Sequence, residues 1–211
     1  MIKVLKYFIW DFDGTLVDTY PSMTLAFQRA LKAEGINAGK EEIMSLLKKS
    51  SKDALAYYNL NSTFKRQWKV EEERVDKEMS QPFHGVLEVL DLIKNKDGLN
   101  FIVTHRNKTT YDYLEYYKIL NYFTDIITIE EANHRKPNTD LFDQIISRNN
   151  IEPAQCLSIG DRDLDMMPSK ALGLKTCLYN PKKIENKIVV DYEITHYNEL
   201  QAIITKNFQK Y

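Results

Sequence analysis

The stretch YFIWDFDGTLVDT, residues 7–19, decides how the rest of this chain is interpreted. Its apolar part predicts a buried strand over residues 4–10, and two carboxylates, Asp11 and Asp13, follow one residue apart. Side chains two positions apart in extended backbone point the same way. Two like charges held together are unfavourable unless a cation lies between them. The pattern therefore favours a magnesium-dependent phosphoryl-transfer site over an acidic β-turn, in which Asp and Gly are also common.

Composition sets the limits for any function. The chain has 211 residues with 29 basic and 30 acidic side chains, so its formal net charge is -1. This balance gives no electrostatic reason to expect binding to nucleic acid or to an anionic membrane. Cys156 and Cys177 lie in apolar runs, which indicates buried thiols rather than a disulfide or a metal site. The first apolar run is too short for a signal peptide, and we expect a cytoplasmic protein.

Residues 18–81 have helical periodicity throughout and carry no strand signal. Ser22 is the expected N-cap of the first helix and Gly35 its end. Ser51 is expected to cap a later helix, and the last helix is predicted to continue through Met79. Lys48 falls at the end of a short helix between these segments.

From Pro82 onward, helical and strand patterns alternate. This alternation predicts a parallel, doubly wound α/β sheet. The expected strands lie at 101–105, 126–129, 156–161 and 175–179, with one helix starting at Asn107 and a covering segment at 181–211 that contains a short strand around 189–194.

The chain is therefore expected to form two domains. An α/β core domain is predicted over residues 1–17 and 82–211, and an all-helical domain over residues 18–81 is inserted after the first strand. Ligands of open parallel sheets bind at the carboxyl ends of the strands. We therefore expect the inserted domain to act as a lid over the acidic turn.

Further polar residues follow the other predicted strands. They are Thr104 after the second strand, Lys136 after the third, and Asp161 with Asp165 after the fourth. Each has an ordinary structural explanation, since Thr caps helices, loop lysines are usually solvated, and acidic residues favour a helix N-terminus. The presence of such residues at four successive strand ends is harder to explain by these ordinary structural roles.

These motifs together resemble those of the haloacid dehalogenase-like (HAD) hydrolase superfamily. The matching segments are DFDGT at 11–15, IVT at 102–104, KP at 136–137 and GDRDLD at 160–165. A helical insertion between the first two resembles the subgroup with a small helical cap, which includes phosphoglycolate phosphatase-like and β-phosphoglucomutase-like proteins. The resemblance covers nearly the whole chain and implies a Rossmann-like core.

The resemblance also implies catalytic roles. Asp11 is the implied nucleophile, and Asp13 is the implied acid that protonates the leaving oxygen and then the base that activates water. Thr104 and Lys136 are the implied contacts of the transferred phosphoryl group. The implied cofactor is Mg²⁺, which accepts oxygen ligands, with Asp11, the backbone carbonyl of Asp13, Asp161 and Asp165 as the metal residues.

Three further residues are candidates for substrate recognition. Lys48 follows an apolar helix face, and a solvated lysine at a helix end is the alternative. His105 and Arg106 directly follow Thr104, and Arg106 is a candidate partner for a second anionic group, with an exposed loop arginine as the alternative.

The resulting hypothesis is a Mg²⁺-dependent phosphatase that acts on a small phosphorylated metabolite. Because a halide leaves without a proton, the presence of Asp13 favours a phosphate ester as substrate. The alternatives are a β-phosphoglucomutase-like phosphomutase and a non-catalytic binding protein with the HAD fold. We expect no nucleic acid or membrane partner, and a monomer or weak homodimer.

Overall fold

The computed structural model describes residues 4–75, 77–185 and 187–208. It divides into two compact units, one running up to Leu16 and resuming at Pro82, the other formed by Val17–Gln81. Within the described ranges, no helix combines the length and the apolar character that crossing a lipid bilayer requires.

The strands and helices alternate along the chain after the first helical block. The strands are β1 (Tyr7–Trp10), β2 (Leu99–Val103), β3 (Phe123–Ile127), β4 (Cys156–Gly160), β5 (Lys175–Tyr179) and β6 (Tyr192–Ile194). The α-helices are α1 (Tyr20–Ala33), α2 (Lys40–Lys49), α3 (Ser51–Tyr57), α4 (Ser62–Arg74), α5 (Val86–Asn95), α6 (Thr109–Tyr116), α7 (Asp140–Asn149), α8 (Asp163–Ala171) and α9 (Tyr197–Phe208).

In the described part of the chain, six strands form one parallel sheet in the order β3-β2-β1-β4-β5-β6. The predicted doubly wound α/β fold is thereby confirmed, and the segment inserted after β1 is helical. Trp10 is paired with Ile102 of β2 and with Ile159 of β4. The three central strands therefore end at nearly the same level, which brings the residues that follow them to one edge of the sheet.

Both faces of the sheet are covered, as parallel sheets require. Ile9 of β1 packs in a buried cluster with Phe142 and Ile145 of α7. Successive strand residues point to opposite faces, so Trp10 lies on the other face, where its ring centroid is 6.2 Å from that of Tyr197 in α9. The hydroxyl of Tyr197 donates a hydrogen bond to the carbonyl of Thr15 and so ties α9 to the loop after β1.

The helical unit has its own aromatic core. The ring of Phe27 in α1 meets Phe64 and Trp68 of α4 edge-on, at centroid distances of 5.1 and 5.0 Å. Gly35 follows α1 with φ +77°, a conformation that favours glycine, and the predicted end of this helix is confirmed.

Two predicted helix caps are wrong. α1 begins at Tyr20, so Ser22 lies inside the helix, where its buried hydroxyl donates to the carbonyl of Thr19. Ser50 rather than Ser51 caps α3, because the Ser50 hydroxyl accepts the N–H of Asp53 at 2.9 Å. Ser50 caps α3 because its backbone is extended (φ −170°, ψ 156°), whereas Thr19, the residue before α1, has helical backbone and makes no side-chain capping bond.

Several segment boundaries also differ from the prediction: the strands expected at 101–105 and 126–129 lie at Leu99–Val103 and Phe123–Ile127. The helix expected through Met79 stops at Arg74 because Val75 is extended (φ −80°, ψ 134°), and a 3-10 turn follows at Lys77–Met79. The helix expected from Asn107 starts at Thr109. The predicted covering strand pairs with β5 and so extends the sheet by one strand.

Candidate active site

The parallel register places the sequence-predicted motifs of the core at one edge of the sheet. Asp11 directly follows β1, Thr104 follows β2 and Asp161 follows β4. The loop after β3 supplies Lys136, and the first turn of α8 supplies Asp165. All five residues were predicted from the sequence, and they lie on five separate segments of the chain.

Lys136 lies at the centre of a buried ion-pair network. Its Nζ donates to Asp11 Oδ1 at 2.8 Å, to Asp165 Oδ1 at 2.7 Å and to the carbonyl of Val103 at 2.7 Å. An ammonium group has three hydrogens, so these three acceptors satisfy it completely. Burial by itself lowers the pKa of Lys136, but the two carboxylates outweigh that effect and raise the pKa above its ordinary value. The side chain therefore carries a fixed positive charge, contrary to the solvated loop lysine considered from the sequence.

The two carboxylates that contact Lys136 titrate differently. The pKa of Asp11 is raised to about 6, because burial and the charge of Asp165 outweigh the opposing effects of Lys136 and Arg162. Burial also acts to raise the pKa of Asp165, but Lys136 and Arg162 outweigh it and hold the value below the ordinary one. The pKa of Asp11 is therefore raised and that of Asp165 lowered, although both carboxylates contact the same ammonium group.

A group of three carboxylates at this edge has the composition of a hard-cation site. Asp11, Asp161 and Asp165 each offer an oxygen, and these oxygens lie within 4.8 Å of one another. Asp11 Oδ2 and Asp165 Oδ2 are buried and make no hydrogen bond to any described residue. Buried oxygens of this kind are costly unless a cation or water meets them. These residues therefore fit a magnesium ion, which accepts a small number of carboxylate ligands.

Arg162 is a cationic residue at this site that sequence reasoning did not select. Its Nη2 is 3.9 Å from Asp11 Oδ2, and its Nε is 3.6 Å from Asp161 Oδ1 and 3.7 Å from Asp165 Oδ2. The sequence feature that could have indicated Arg162 is its position within GDRDLD, between Asp161 and Asp163. The guanidinium adds positive charge beside the three carboxylates.

Gly160 is required by the close packing of this edge. A Cβ atom at residue 160 would lie 2.6 Å from the Cβ of Asp165 and 3.1 Å from its Oδ2. Only glycine lets β4 run so close to the first turn of α8. The glycine of GDRDLD therefore positions Asp165 rather than simply making a turn.

Asp13 lies outside the three-carboxylate group and is paired with Arg106. The Nε and Nη2 atoms of Arg106 both lie 2.8 Å from Asp13 Oδ1. The predicted contribution of Asp13 to the metal site was through its backbone carbonyl, and that role stays a prediction. Arg106 is not the exposed loop arginine considered as the alternative, since its side chain is only 11% exposed.

Thr104 and His105 form hydrogen bonds that hold the neighbouring loops. Thr104 is fully buried, and its Oγ1 accepts the N–H of Arg106 at 3.0 Å, a bond that does not use the hydroxyl hydrogen. His105 Nε2 accepts the backbone N–H of Lys136 at 2.7 Å. The pKa of His105 is lowered to about 3, mainly by burial and in addition by the charges of Lys136, Arg135 and Arg162. His105 is therefore neutral, and Nε2 serves the Lys136 backbone; substrate binding by His105 stays a prediction.

Lys48 belongs to the helical unit. Its Nζ lies 4.8 Å from the centroid of the Tyr20 ring, a cation–π contact. A role of Lys48 in substrate binding stays a prediction.

Comparisons with known proteins agree with this set of motifs. A family model described as haloacid dehalogenase-like hydrolase matches residues 8–179. The chain is 22% identical over 187 residues to pyrophosphatase PpaX of Oceanobacillus iheyensis, covering 82% of each protein. It is 23% identical over 184 residues to a phosphoglycolate phosphatase of Vibrio parahaemolyticus, covering 80% of this chain and 81% of that protein.

Among solved structures, a hydrolase from Streptococcus pneumoniae TIGR4 is 33% identical, with a TM-score of 0.63, and the match covers 83% of this chain and 93% of that one. The family-model match contains every strand end that contributes to the site, from Asp11 to Asp165. The resemblance inferred from the four motifs is confirmed. The chain belongs to the haloacid dehalogenase-like hydrolase family.

Proposed function

We propose that this protein is a Mg²⁺-dependent phosphatase that hydrolyses a small phosphomonoester through an aspartyl-phosphate at Asp11. The observation that carries the proposal is the buried contact of Asp11 with Lys136, at 2.8 Å, beside two further carboxylates. A carboxylate fixed by an ammonium group and surrounded by oxygen ligands suits attack on a phosphoryl group. The phosphatase names of both relatives support this choice of reaction.

The proposed reaction has two steps. An oxygen of Asp11 attacks phosphorus, the bond from phosphorus to the leaving oxygen breaks, and Asp13 gives its proton to that oxygen. Asp13 then takes a proton from water, which attacks the phosphorus of the aspartyl-phosphate. Inorganic phosphate leaves and Asp11 is restored. The Thr104 hydroxyl donates to a phosphoryl oxygen, and Lys136 places its positive charge between Asp11 and the phosphoryl group during both steps.

Magnesium would be held by the side chains of Asp11, Asp161 and Asp165 and by the backbone carbonyl of Asp13. When bound, it supplies positive charge that offsets the carboxylates and the charge that develops on the phosphoryl oxygens. The orphaned oxygens of Asp11 and Asp165 support this assignment. The raised pKa of Asp11 supports it too, because a nearby cation would relieve the cost of ionising that residue.

The helical unit, Val17–Gln81, is the proposed cap, and Lys48 is its candidate substrate contact. The relatives' names suggest small, strongly anionic substrates, a diphosphate and a phosphorylated acid. A cytoplasmic location and a monomeric or weakly dimeric state remain part of this proposal.

The proposal is tested by phosphate release from the purified 211-residue chain. The substrates are pyrophosphate, phosphoglycolate, sugar phosphates and nucleotides, each with Mg²⁺ and with EDTA. We expect turnover of at least one substrate with Mg²⁺ only, none by the Asp11→Asn protein, and normal rates for the control Asp143→Asn, which alters an exposed carboxylate of α7.

Hydrolysis that persists in EDTA, or full activity of Asp11→Asn, would contradict the proposed site. Isomerisation of a hexose phosphate without net phosphate release would indicate a phosphomutase. Failure to turn over any substrate would favour a non-catalytic protein with this fold.

A further inference from the structure

Arg106 holds the carboxylate of Asp13 through a short ion pair. Two nitrogens of its guanidinium, Nε and Nη2, each lie 2.8 Å from Asp13 Oδ1. The side chains are 11% and 17% exposed, so solvent screens this pair only partly. Asp13 is therefore oriented through one of its two oxygens.

The guanidinium itself is held on several sides. Its central carbon lies 5.8 Å from the centroid of the Phe12 ring and 5.2 Å from that of Tyr113. Aromatic faces attract a guanidinium at such distances, and Nη1 also reaches Thr109 Oγ1 at 3.5 Å. The side chain is thus fixed by its surroundings as well as by Asp13.

The backbone of Arg106 is anchored to the same edge of the sheet. Its N–H donates to Thr104 Oγ1 at 3.0 Å, and its carbonyl accepts the N–H of Ile129 at 3.2 Å. Arg106 therefore connects the ends of β2 and β3 to the carboxylate that follows β1. These contacts hold Arg106 where its guanidinium can orient the Asp13 carboxylate.

We propose that Arg106 is a positioning residue that orients the Asp13 carboxylate for proton transfer to the leaving oxygen of the substrate. The inference rests on the proposed phosphatase function. It differs from the sequence-based suggestion that Arg106 binds a second anionic group, because two of its donors already contact Asp13. An incoming anion would have to replace a short, partly buried ion pair.

The proposal predicts a dependence on the leaving group. An alkyl phosphate needs a proton at its leaving oxygen, whereas the nitrophenolate of 4-nitrophenyl phosphate is stable without one. The ratio of the two kcat/KM values therefore measures how well Asp13 delivers its proton. Because kcat/KM reports only the steps up to release of the first product, hydrolysis of the aspartyl-phosphate does not enter this ratio.

The test compares wild type, Arg106→Met, Asp13→Asn and the double variant on the best alkyl phosphate of the panel and on 4-nitrophenyl phosphate. Methionine keeps apolar contact with the two rings but cannot hold Asp13. The control is Arg148→Met, which alters an exposed arginine of α7 that also pairs with carboxylates. Urea unfolding checks that each variant is folded.

In Arg106→Met we expect the alkyl-to-nitrophenyl ratio to fall by about tenfold or more, since general acid catalysis contributes roughly 10²–10⁴ in rate. The same substitution in the Asp13→Asn protein should lower the ratio no further, because the two residues act as one unit. Arg148→Met should leave the ratio unchanged.

Equal losses on both substrates would overturn the inference, as would an unchanged ratio or a loss confined to substrates with a second anionic group. Those outcomes leave the proposed function intact, since wild type remains active. A wild-type protein that hydrolyses neither substrate would overturn the proposed function, and this inference with it.

Discussion

Replacing the proposed nucleophile with its neutral isostere should stabilise the metal-free protein. Asp11→Asn keeps an oxygen that accepts a hydrogen bond from Lys136 but removes a buried negative charge next to Asp165. Sites that must hold like charges together are commonly less stable than their inactive variants. The expected gain is calculated from the pKa of Asp11.

The magnitude follows from the difference between the folded and unfolded states. The pKa of Asp11 rises from 3.8 to about 6, first because it is buried. One pKa unit is worth about 1.4 kcal/mol, so ionised Asp11 costs the folded state about 3 kcal/mol. Below pH 3.8 the residue is protonated in both states and the cost is absent; it grows between pH 3.8 and 6 and is complete above pH 6.

Urea unfolding of both proteins, in EDTA and at a series of pH values from about 4 to 8, measures this difference. Tryptophan fluorescence is followed in a Trp68→Phe background, so that only Trp10, the neighbour of Asp11, reports. We expect Asp11→Asn to be more stable by up to about 3 kcal/mol at pH 8 and equal to wild type near pH 4. Magnesium should stabilise wild type more than the variant.

The control Asp143→Asn should change stability by less than about 0.5 kcal/mol at every pH, as surface substitutions usually do. The reasoning is refuted if Asp11→Asn is no more stable than wild type at pH 8 in EDTA. A stability difference that does not vary with pH would refute it equally, because the charge of Asp11 would then not be its cause.

Three other predictions address catalysis, the metal and packing. Asp13→Asn should lower kcat by roughly 10²–10⁴ with a much smaller change in substrate affinity, as loss of general acid–base catalysis predicts. Kinetics and equilibrium binding measure the two effects, and equal losses of kcat and of affinity would indicate a structural role. EDTA should abolish phosphate release, and added Mg²⁺ should restore it. Asp161→Asn should raise the Mg²⁺ concentration that gives half-maximal activity, and an unchanged Mg²⁺ concentration would exclude Asp161 as a ligand. Gly160→Ala should cost about 1–3 kcal/mol by overpacking, since its Cβ would lie 2.6 Å from that of Asp165. Gly39→Ala, with nothing within 4 Å, is its control in urea unfolding, and equal stability of the two variants would contradict the packing argument.

The sheet was predictable because its information is local. Short apolar segments alternate with amphipathic helices, and this rhythm predicts a parallel sheet without knowledge of any contact. Helix caps were less predictable, as Ser22 and Ser50 illustrate, because several adjacent residues can each cap a helix. Packing also matters, since Ser22 lies inside α1, where its buried hydroxyl meets that of Ser80, 58 positions away.

By itself, the sequence determined the fold class and the identity of the core-site motifs. Asp11, Thr104, Lys136 and Asp161 each follow a predicted strand, and parallel strands bring such positions to one edge. Only the tertiary structure decided which side chains pair at that edge. These pairs join residues that are 29 to 125 positions apart in the chain: Lys136 with Asp11 and Asp165, and Arg106 with Asp13. Strand patterns specify where a residue lies along the sheet, whereas hydrogen-bond geometry and burial, which set charge and pKa, exist only once the strands have packed.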